Sequence, residues 1–432
     1  MKNSGIEWIG EIPDSWEVKR VKDVFSLIGG CGFKDEFQGH LDGDYPFCKA
    51  SDINGKDKFL DHAQNYVNQD IVDEQHYKVV PQYSILMSKI GEAMKKNHRK
   101  INTVPCIVDN NCQALCKKSN DDIIYLYYLF SQIDMIWFDN GGTIPNISNT
   151  KLLNFFIPDI SVELQKRIAY HLDEKCGKID ELIVNQEKQI EKLKEYKQSV
   201  ITEAVTKGLD KSVPMKDSGI EWIGNIPNHW NVCRIKSLAD NSITDSFIDG
   251  DWIESPDITD EGIRYLTTGN VGDGVFKCQG NGYVSKDTFN RLNCKYAYPG
   301  DLVISRLNSP YGRSCILPDI EEEYVLAVDL VILRTQMEKR FICYSTQCVG
   351  YQHSVEDYAR GTAMKRISRT NLGAVQILIP KLSEQKEIAD YLDEKCGKID
   401  RLIAIKQEKI EKLQEYKKSL IYEYVTGKKE VV

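Results

Sequence analysis

The sequence predicts an α+β protein with two globular domains, related by a pseudo-two-fold axis and joined by two long helices that form an antiparallel coiled coil. Three observations predict this fold: a length of 432 residues, an internal repeat, and two long proline-free stretches with heptad spacing. A chain of this length exceeds what one hydrophobic core usually serves, so at least two domains are expected.

The internal repeat divides the chain into two similar halves. Residues 4–10 recur unchanged as 218–224, and residues 172–180 recur unchanged as 392–400. The offsets of 214 and 220 residues are far too long for a solenoid and indicate duplication of a whole domain.

The front part of each half has diverged further than the back part. Met87-Ser88-Lys89 still corresponds to Ile304-Ser305-Arg306 at an offset of 217 residues, so the two fronts are expected to share a fold. The front parts are expected to diverge strongly in sequence on a common fold if each recognises a different target, while the similar back parts share one function.

The back part of each half predicts a long helix. Residues 163–205 and 383–425 contain no proline, and their apolar residues fall at alternating steps of three and four. We call this apolar stripe the seam; its members are Ile179, Ile183, Ile190 and Leu193 in the first half, and Ile399, Ile403, Ile410 and Leu413 in the second. Two matching seams favour a pair of helices over two independent surface helices, and a two-fold relation makes the pair antiparallel.

These patterns predict five segments along the chain. They are a globular domain at 1–160, a helix at 161–207, a linker at 208–217 that contains Gly208 and Pro214, a second globular domain at 218–381 and a second helix at 382–427.

Composition narrows the class of protein. The 13 cysteines form no CxxC pair and no zinc-ligand spacing, so neither a disulfide framework nor a metal site is expected. Apolar runs fall short of the roughly 20 residues that cross a bilayer, and the chain opens without a basic and apolar leader; a cytoplasmic protein without a membrane span is expected. The net charge of -8 argues against a uniformly basic surface, but local clusters of lysine and arginine decide binding to phosphate.

Sequence motifs of catalysis are missing. The chain has no Pro-Pro dipeptide, so the catalytic loop of amino-methyltransferases is absent, and no GxxxxGK[ST] phosphate loop is present. The segments near Pro256-Asp257 and Pro318-Asp319 lack a following Glu-x-Lys and are interpreted as turns rather than nuclease motifs. No catalytic residue is predicted.

The pattern resembles the specificity subunits of type I restriction-modification systems over the full chain. The resemblance rests on the openings GIEWIG at 5–10 and 219–224, the helix entry IPKLSEQ at 379–385, and PGDLVISR at 299–306. The first half departs from the last two motifs, with PQYS at 81–84 and ELQ at 163–165.

This resemblance implies a non-catalytic, DNA-binding subunit. Each globular domain would be a target-recognition domain for one half of a split double-stranded DNA sequence, and the coiled coil would set the unread spacer. Two methyltransferase subunits and two motor-nuclease subunits would associate with the chain. S-adenosylmethionine, ATP and magnesium would belong to those partners, so no cofactor is expected here.

Basic residues in two loop segments of each half are the candidate DNA contacts. The first segment connects two predicted strands as an exposed hairpin loop, and the second follows an aromatic-rich helix, at 141–146 in the first half and 361–369 in the second. The candidates are Lys89, Lys95, Lys96, Arg99, Lys100, Arg306, Arg313, Lys365, Arg366 and Arg369.

Two other functions remain open at this stage. A coiled-coil assembly scaffold that binds only proteins is compatible with the acidic net charge, and solvated loop tips would explain the basic clusters without DNA. A self-sufficient nuclease is less favoured, because no catalytic constellation is present.

Overall fold

A computed structural model describes residues 1–55, 57–280, 282–360 and 365–431 of the chain. The chain forms two compact units, which we call unit 1 (Met1–Gln186 with Glu408–Val432) and unit 2 (Glu187–Gln407). The boundaries fall inside the two long helices, so each unit contains one front domain and part of both helices.

The first half is built from short strands and helices followed by one long helix. Its strands are β1 (Lys2–Asn3), β2 (Glu11–Ile12), β3 (Glu17–Arg20), β4 (Phe25–Gly29), β5 (Tyr45–Cys48), β6 (Phe59–Leu60), β7 (Tyr66–Val67), β8 (Ile85–Ser88), β9 (Arg99–Asn102), β10 (Ile107–Val108), β11 (Cys112–Lys117) and β12 (Phe156–Asp159). Its helices are α1 (Val21–Val24), α2 (Ala50–Ile53), α3 (Gln69–Glu74), α4 (Gly91–Lys95), α5 (Ile123–Ser131), α6 (Asn149–Leu153) and the long α7 (Val162–Lys207).

The second half is likewise built from short strands and helices followed by one long helix. Its strands are β13 (Met215–Asp217), β14 (Asn225–Pro227), β15 (Asn231–Arg234), β16 (Phe247–Asp249), β17 (Ile263–Leu266), β18 (Tyr283–Val284), β19 (Tyr296–Ala297), β20 (Leu302–Ser305), β21 (Ser314–Ile316), β22 (Tyr324–Leu326), β23 (Leu330–Leu333) and β24 (Gln376–Ile379). Its helices are α8 (Lys286–Leu292), α9 (Lys339–Thr346), α10 (Val349–Glu356), α11 (Arg369–Ala374) and the long α12 (Leu382–Val425).

The two fronts share a common sheet core, to which the first half adds β6 and the second half adds β19. The main sheet has the order β4-β11-β8-β9-β6 in the first half and β16-β23-β20-β21 in the second. A second sheet has the order β10-β5-β7 in the first half and β18-β17-β22-β19 in the second. Every residue of β8 and β20 is buried, as expected for apolar central strands that are covered on both faces.

The long helices run antiparallel within each unit. In unit 1, His171 of α7 packs on Tyr424 of α12, and Asp180 of α7 binds Lys417 of α12. The residue numbers of the contacting positions in α12 therefore decrease as those in α7 increase. In unit 2, Lys197 of α7 binds Asp400 of α12 at 2.8 Å. The predicted α+β fold with an antiparallel pair of long helices is confirmed.

Seam residues are withdrawn from solvent in both halves. Ile179, Ile183, Ile190, Ile399 and Ile410 are buried, and the seam members Leu193, Ile403 and Leu413 are half-buried. The narrow apolar stripe is therefore used for helix packing, which stabilises long helices with otherwise charged surfaces.

A buried glutamine ties the start of each long helix to its front domain. The amide oxygen of Gln165 accepts the backbone N–H of Asp122 at 2.7 Å, and that of Gln385 accepts the backbone N–H of Glu338 at 3.0 Å. The glutamine therefore serves the same structural role in both halves.

The end of each long helix meets the opening motif of the unit in which it ends. In unit 1, the Tyr422 hydroxyl of α12 donates to the Trp8 carbonyl at 3.0 Å. In unit 2, the Lys207 ammonium at the end of α7 donates to the Ile223 carbonyl at 3.1 Å. The identical openings thus hold the end of the helix that comes from the other half.

No helix among the described residues is long and apolar enough to cross a membrane.

Candidate nucleic-acid interface

The first candidate surface lies at the connection between β8 and β9. These strands pair antiparallel, and the short helix α4 lies in their connection. Lys95 and Lys96 are exposed there, whereas Lys89 is half-buried. The Lys95 ammonium binds the Glu92 carboxylate at 2.6 Å, and such an exposed pair contributes little to stability.

Two of the predicted contacts lie outside this exposed connection. Arg99 and Lys100 belong to β9 and are only 5% and 8% exposed, so the expectation of an exposed hairpin loop is wrong for them. The Arg99 guanidinium donates to the Asn97 backbone carbonyl at 3.0 Å and to the Ile133 carbonyl. The polar sequence suggested a loop, but pairing of β9 with β8 draws these side chains into the domain.

The second candidate segment of the first half lies against the same connection. The Gly91 N–H donates to the Pro145 carbonyl at 2.8 Å, and the Ile147 N–H donates to the Lys89 carbonyl at 3.0 Å. The segment 141–146 and the β8–β9 connection therefore form one surface, although about fifty residues separate them in the chain. Ile144 is exposed on it.

The second half has the same arrangement at Arg306. The Arg306 N–H donates to the Asp329 carbonyl and its carbonyl accepts the Ile367 N–H, as Lys89 does with Asn111 and Ile147. Lys89 and Arg306 are therefore structurally equivalent. Of the predicted loop 361–369, residues 361–364 lie outside the described residues.

The side chain at the second of these positions is buried and neutralised. Arg306 is 3% exposed and binds Asp249 at 3.1 Å, while Asp329 lies at 4.0 Å. Burial lowers the pKa of Arg306, and both carboxylates oppose that shift. The predicted DNA contact is not compatible with this burial, so that prediction is wrong. The Arg306 side chain instead lies inside the domain, beneath the loops.

The same two aspartates hold the neighbouring arginines. Arg366 binds Asp329 at 3.5 Å and Arg369 binds Asp249 at 3.4 Å, and both arginines remain partly exposed. Lys365 is exposed. Three arginines and two carboxylates thus form one network, in which Arg366 and Arg369 can still reach a ligand.

Arg313 is occupied with the backbone. It donates to the carbonyls of Val271 at 2.7 Å, Asn308 at 2.9 Å and Thr268 at 2.9 Å. Burial lowers its pKa. The arginine fixes the loops around it, and its predicted role as an exposed contact is not supported by this geometry.

Sequence reasoning missed Asp249 and Asp329. Asp249 is the last residue of β16 and Asp329 directly precedes β23, so both are polar residues at the same end of two paired apolar strands, and β23 in turn pairs with β20. A polar residue at the end of an apolar strand was the signal that the sequence offered, because the ends of paired strands bring their side chains to one edge of a sheet. Within the described part of the chain, no group of three or more His, Cys, Asp or Glu side chains is arranged to hold a metal ion.

A duplicated α+β domain on paired helices, with the same loop scaffold but different charges in each copy, defines a two-site recognition protein. The chain matches the family model of the type I restriction modification DNA specificity domain at residues 13–192 and 227–415. It belongs to that family.

Full-length relatives support this assignment. The chain is 27% identical to the type I restriction enzyme MjaVIII specificity subunit of Methanocaldococcus jannaschii, over 96% of this chain and 93% of that protein. It is also 27% identical to the putative type I restriction enzyme MjaX specificity subunit of the same organism, over 97% and 95% of the two chains.

A solved structure shares the fold. A chain described under "Structural basis underlying complex assembly and conformational transition of the type I R-M system" superposes with a TM-score of 0.69 and 16% identity, over 96% of this chain and 98% of the other.

Proposed function

We propose that this chain is the specificity subunit of a type I restriction-modification complex, in which each front domain binds one half of a bipartite DNA target. The observation that supports it best is the equivalent loop pair in the two halves, where one backbone arrangement presents different polar groups. Different groups on one scaffold are what two different half-sites require.

The exposed cations divide between the two fronts. In the first half the exposed Lys95 and Lys96 are the proposed phosphate contacts, and in the second half Lys365, Arg366 and Arg369 are the candidates. Phosphate contacts fix the position of a protein on DNA, whereas base edges give the sequence preference. A net charge of -8 does not oppose this role, because the local field of each loop surface governs binding.

The helices supply the proposed docking sites for two methyltransferase subunits. Leu182 and Tyr416 of unit 1 and the matching Leu402 and Tyr196 of unit 2 are between 45% and 56% exposed. The same residue types at equivalent places in both units suit two copies of one partner, because each unit then presents the same side chains for docking.

The remaining parts of the complex follow from this assignment. We propose that the helices set the spacer between half-sites, that two motor-nuclease subunits join for cleavage, and that S-adenosylmethionine, ATP and magnesium are bound by the partners. The chain itself would then be non-catalytic and would select the site of reaction.

Salt dependence of DNA binding tests the proposal. Replacing Lys95 and Lys96 by alanine should weaken binding of the assembled methyltransferase and lower the slope of log K against log salt by about 0.9 per lost phosphate contact. The exposed lysines Lys78 and Lys118 provide the matched control pair, and their replacement should leave the slope unchanged. Equal slopes for all variants would show that this loop faces away from DNA, and a failure of the assembled methyltransferase to bind DNA at all would favour the assembly scaffold instead.

Domain exchange tests the division of labour. Replacing residues 20–140 by the corresponding segment of a relative should change one half of the methylated sequence and leave the other half intact. Methylome sequencing of the host measures this directly, and a simultaneous change in both halves would contradict independent recognition.

A further inference from the structure

Unit 1 contains a cleft of about 550 Å³ where the front domain meets the helix pair. The start of β9 and the end of α5 form one wall, with Arg99 and Tyr127, and the helices form the other. Ile183 and Val184 of α7 and Ile421 of α12 give the second wall an apolar surface. The volume lies within the range of small-molecule sites, and the lining combines apolar and polar groups as such sites do.

Arg99 is the unusual group of this cleft. Its side chain is 5% exposed, yet no carboxylate of the described residues lies within 4.0 Å of its guanidinium. Its partners are oxygens of Asn97 and the Ile133 carbonyl, and its Nε has no hydrogen-bond partner. Burial lowers its pKa to about 10, so the side chain still carries its charge at neutral pH.

The other charged groups of the cleft do not compensate Arg99. Asp180 is bound through both carboxylate oxygens to the Lys417 ammonium, each at 2.7 Å. Asp57 also lines the cleft but forms no ion pair with Arg99, and Lys418 adds an exposed positive charge. The Asp134 carboxylate acts on Arg99 electrostatically but forms no ion pair with it. A buried cation is costly unless an anion pairs with it, so an anionic ligand would stabilise this arrangement.

The second half shows what this position looks like without a charge. The register of β9 on β8 and of β21 on β20 makes Ser314 the counterpart of Arg99. The Ser314 hydroxyl is hydrogen-bonded to the Thr346 hydroxyl at 2.7 Å. The ion pair Asp180–Lys417 recurs there as Asp400–Lys197, so the buried cation is what distinguishes the first half.

We propose that the cleft of unit 1 binds a small organic anion of about mononucleotide size. Its phosphate or carboxylate would pair with Arg99, and its planar or apolar part would lie between Tyr127 and the aliphatic wall. The occupant would join the front domain to the helix pair, because both contribute to its site. The cleft shares Asn97 and His98 with the β8–β9 connection that carries Lys95 and Lys96.

Calorimetric titration of the full chain tests the site with three probes: adenosine monophosphate, inorganic phosphate and uncharged adenosine. Adenosine monophosphate should bind, and adenosine should bind at least 10-fold more weakly because it lacks the anion. Absence of binding by both adenosine monophosphate and phosphate at millimolar concentration would overturn the proposal.

Two substitutions locate the binding. Arg99→Met should abolish it, but it also removes bonds that shape the loop. Val184→Trp therefore provides an independent test, since it fills the cleft from the partly exposed helix wall without touching the Arg99 bonds. Ala404→Trp, at the equivalent place on α12, is the matched control and should leave binding unchanged. Binding that survives Val184→Trp, or that Ala404→Trp reduces equally, would refute the assignment.

Competition with DNA distinguishes the source of the anion. If target duplex displaces adenosine monophosphate, a DNA phosphodiester occupies the cleft in the complex; if both bind together, a free metabolite does. Either result keeps the site, which the titration without DNA establishes by itself, and this comparison is made only under conditions in which the duplex binds.

Discussion

Lys89 and Arg306 have the same backbone partners in the two halves of the chain, yet one side chain is half-buried and the other is fully buried. Around Arg306 lie Asp249 and Asp329, whereas the residues equivalent to them around Lys89 are Gly29 and Asn111. The main chain is therefore kept while the charges beneath the loops are exchanged. Recognition surfaces can diverge in this way without a change of fold.

The halves differ in their loops but depend on each other for their cores. A fragment from Met215 to Val432 lacks the part of α7 that supplies Val200, Ile201 and Val205 to the core of unit 2. Each such side chain contributes about 1.5–3 kcal/mol on burial, so the monomeric fragment should lose roughly 5 kcal/mol or more, which is comparable with the whole stability of a domain. It should therefore form a homodimer that supplies the missing helix from a second copy.

Sedimentation equilibrium of that fragment is the measurement. We expect the fragment to be a dimer. The double substitution Ile403→Asp and Ile410→Asp should disrupt it, because each copy would then place two charges in its seam. A folded monomer at micromolar concentration would contradict this prediction, because it would show that the second half does not need a helix from another half.

Replacing each of the two equivalent cations by methionine should lower the free energy of unfolding by different amounts. Arg306→Met leaves two carboxylates with only the partly exposed Arg366 and Arg369, and should cost about 3 kcal/mol, near the lower limit for a broken buried pair. Lys89→Met should change stability by no more than about 0.5 kcal/mol, as for surface substitutions in general. Urea unfolding of both variants gives the comparison, and similar losses would contradict the distinct roles.

The helix-entry glutamines should behave alike. Gln165→Ala and Gln385→Ala each leave a backbone N–H without its acceptor, so each should cost about 1–3 kcal/mol. Gln407→Ala, at an exposed position of α12, is the control and should be nearly neutral. Thermal unfolding measures all three, and a loss at only one glutamine would show that the halves are anchored differently.

The smallest effect is expected at the ion pairs between the helices. Lys197–Asp400 and Lys417–Asp180 have half-exposed carboxylates, so each should contribute about 0.2–1 kcal/mol. Double-mutant cycles with Lys→Met and Asp→Asn should give the same coupling in both units. A coupling well above this range in one unit would indicate an additional partner there.

Much of the fold was predictable because its signals are local or periodic. The repeat indicated two copies of one domain, and the heptad spacing indicated two long helices whose seams are now seen to be buried. The two loop segments of each half were also identified, although nothing in the sequence indicated that they pair with each other through Gly91 and Pro145, or through Arg306 and Ile367.

By itself the sequence determined the duplication, the long helices and the places where polar loops interrupt apolar strands. Only the tertiary structure decided which charges are free to bind. Arg99 is buried because β9 pairs with β8, and Arg306 is buried against Asp249 at the end of β16 and Asp329 before β23. A periodic pattern reports which face of a segment is apolar, but the fate of a single charge depends on partners distant in the chain, and only packing brings them together.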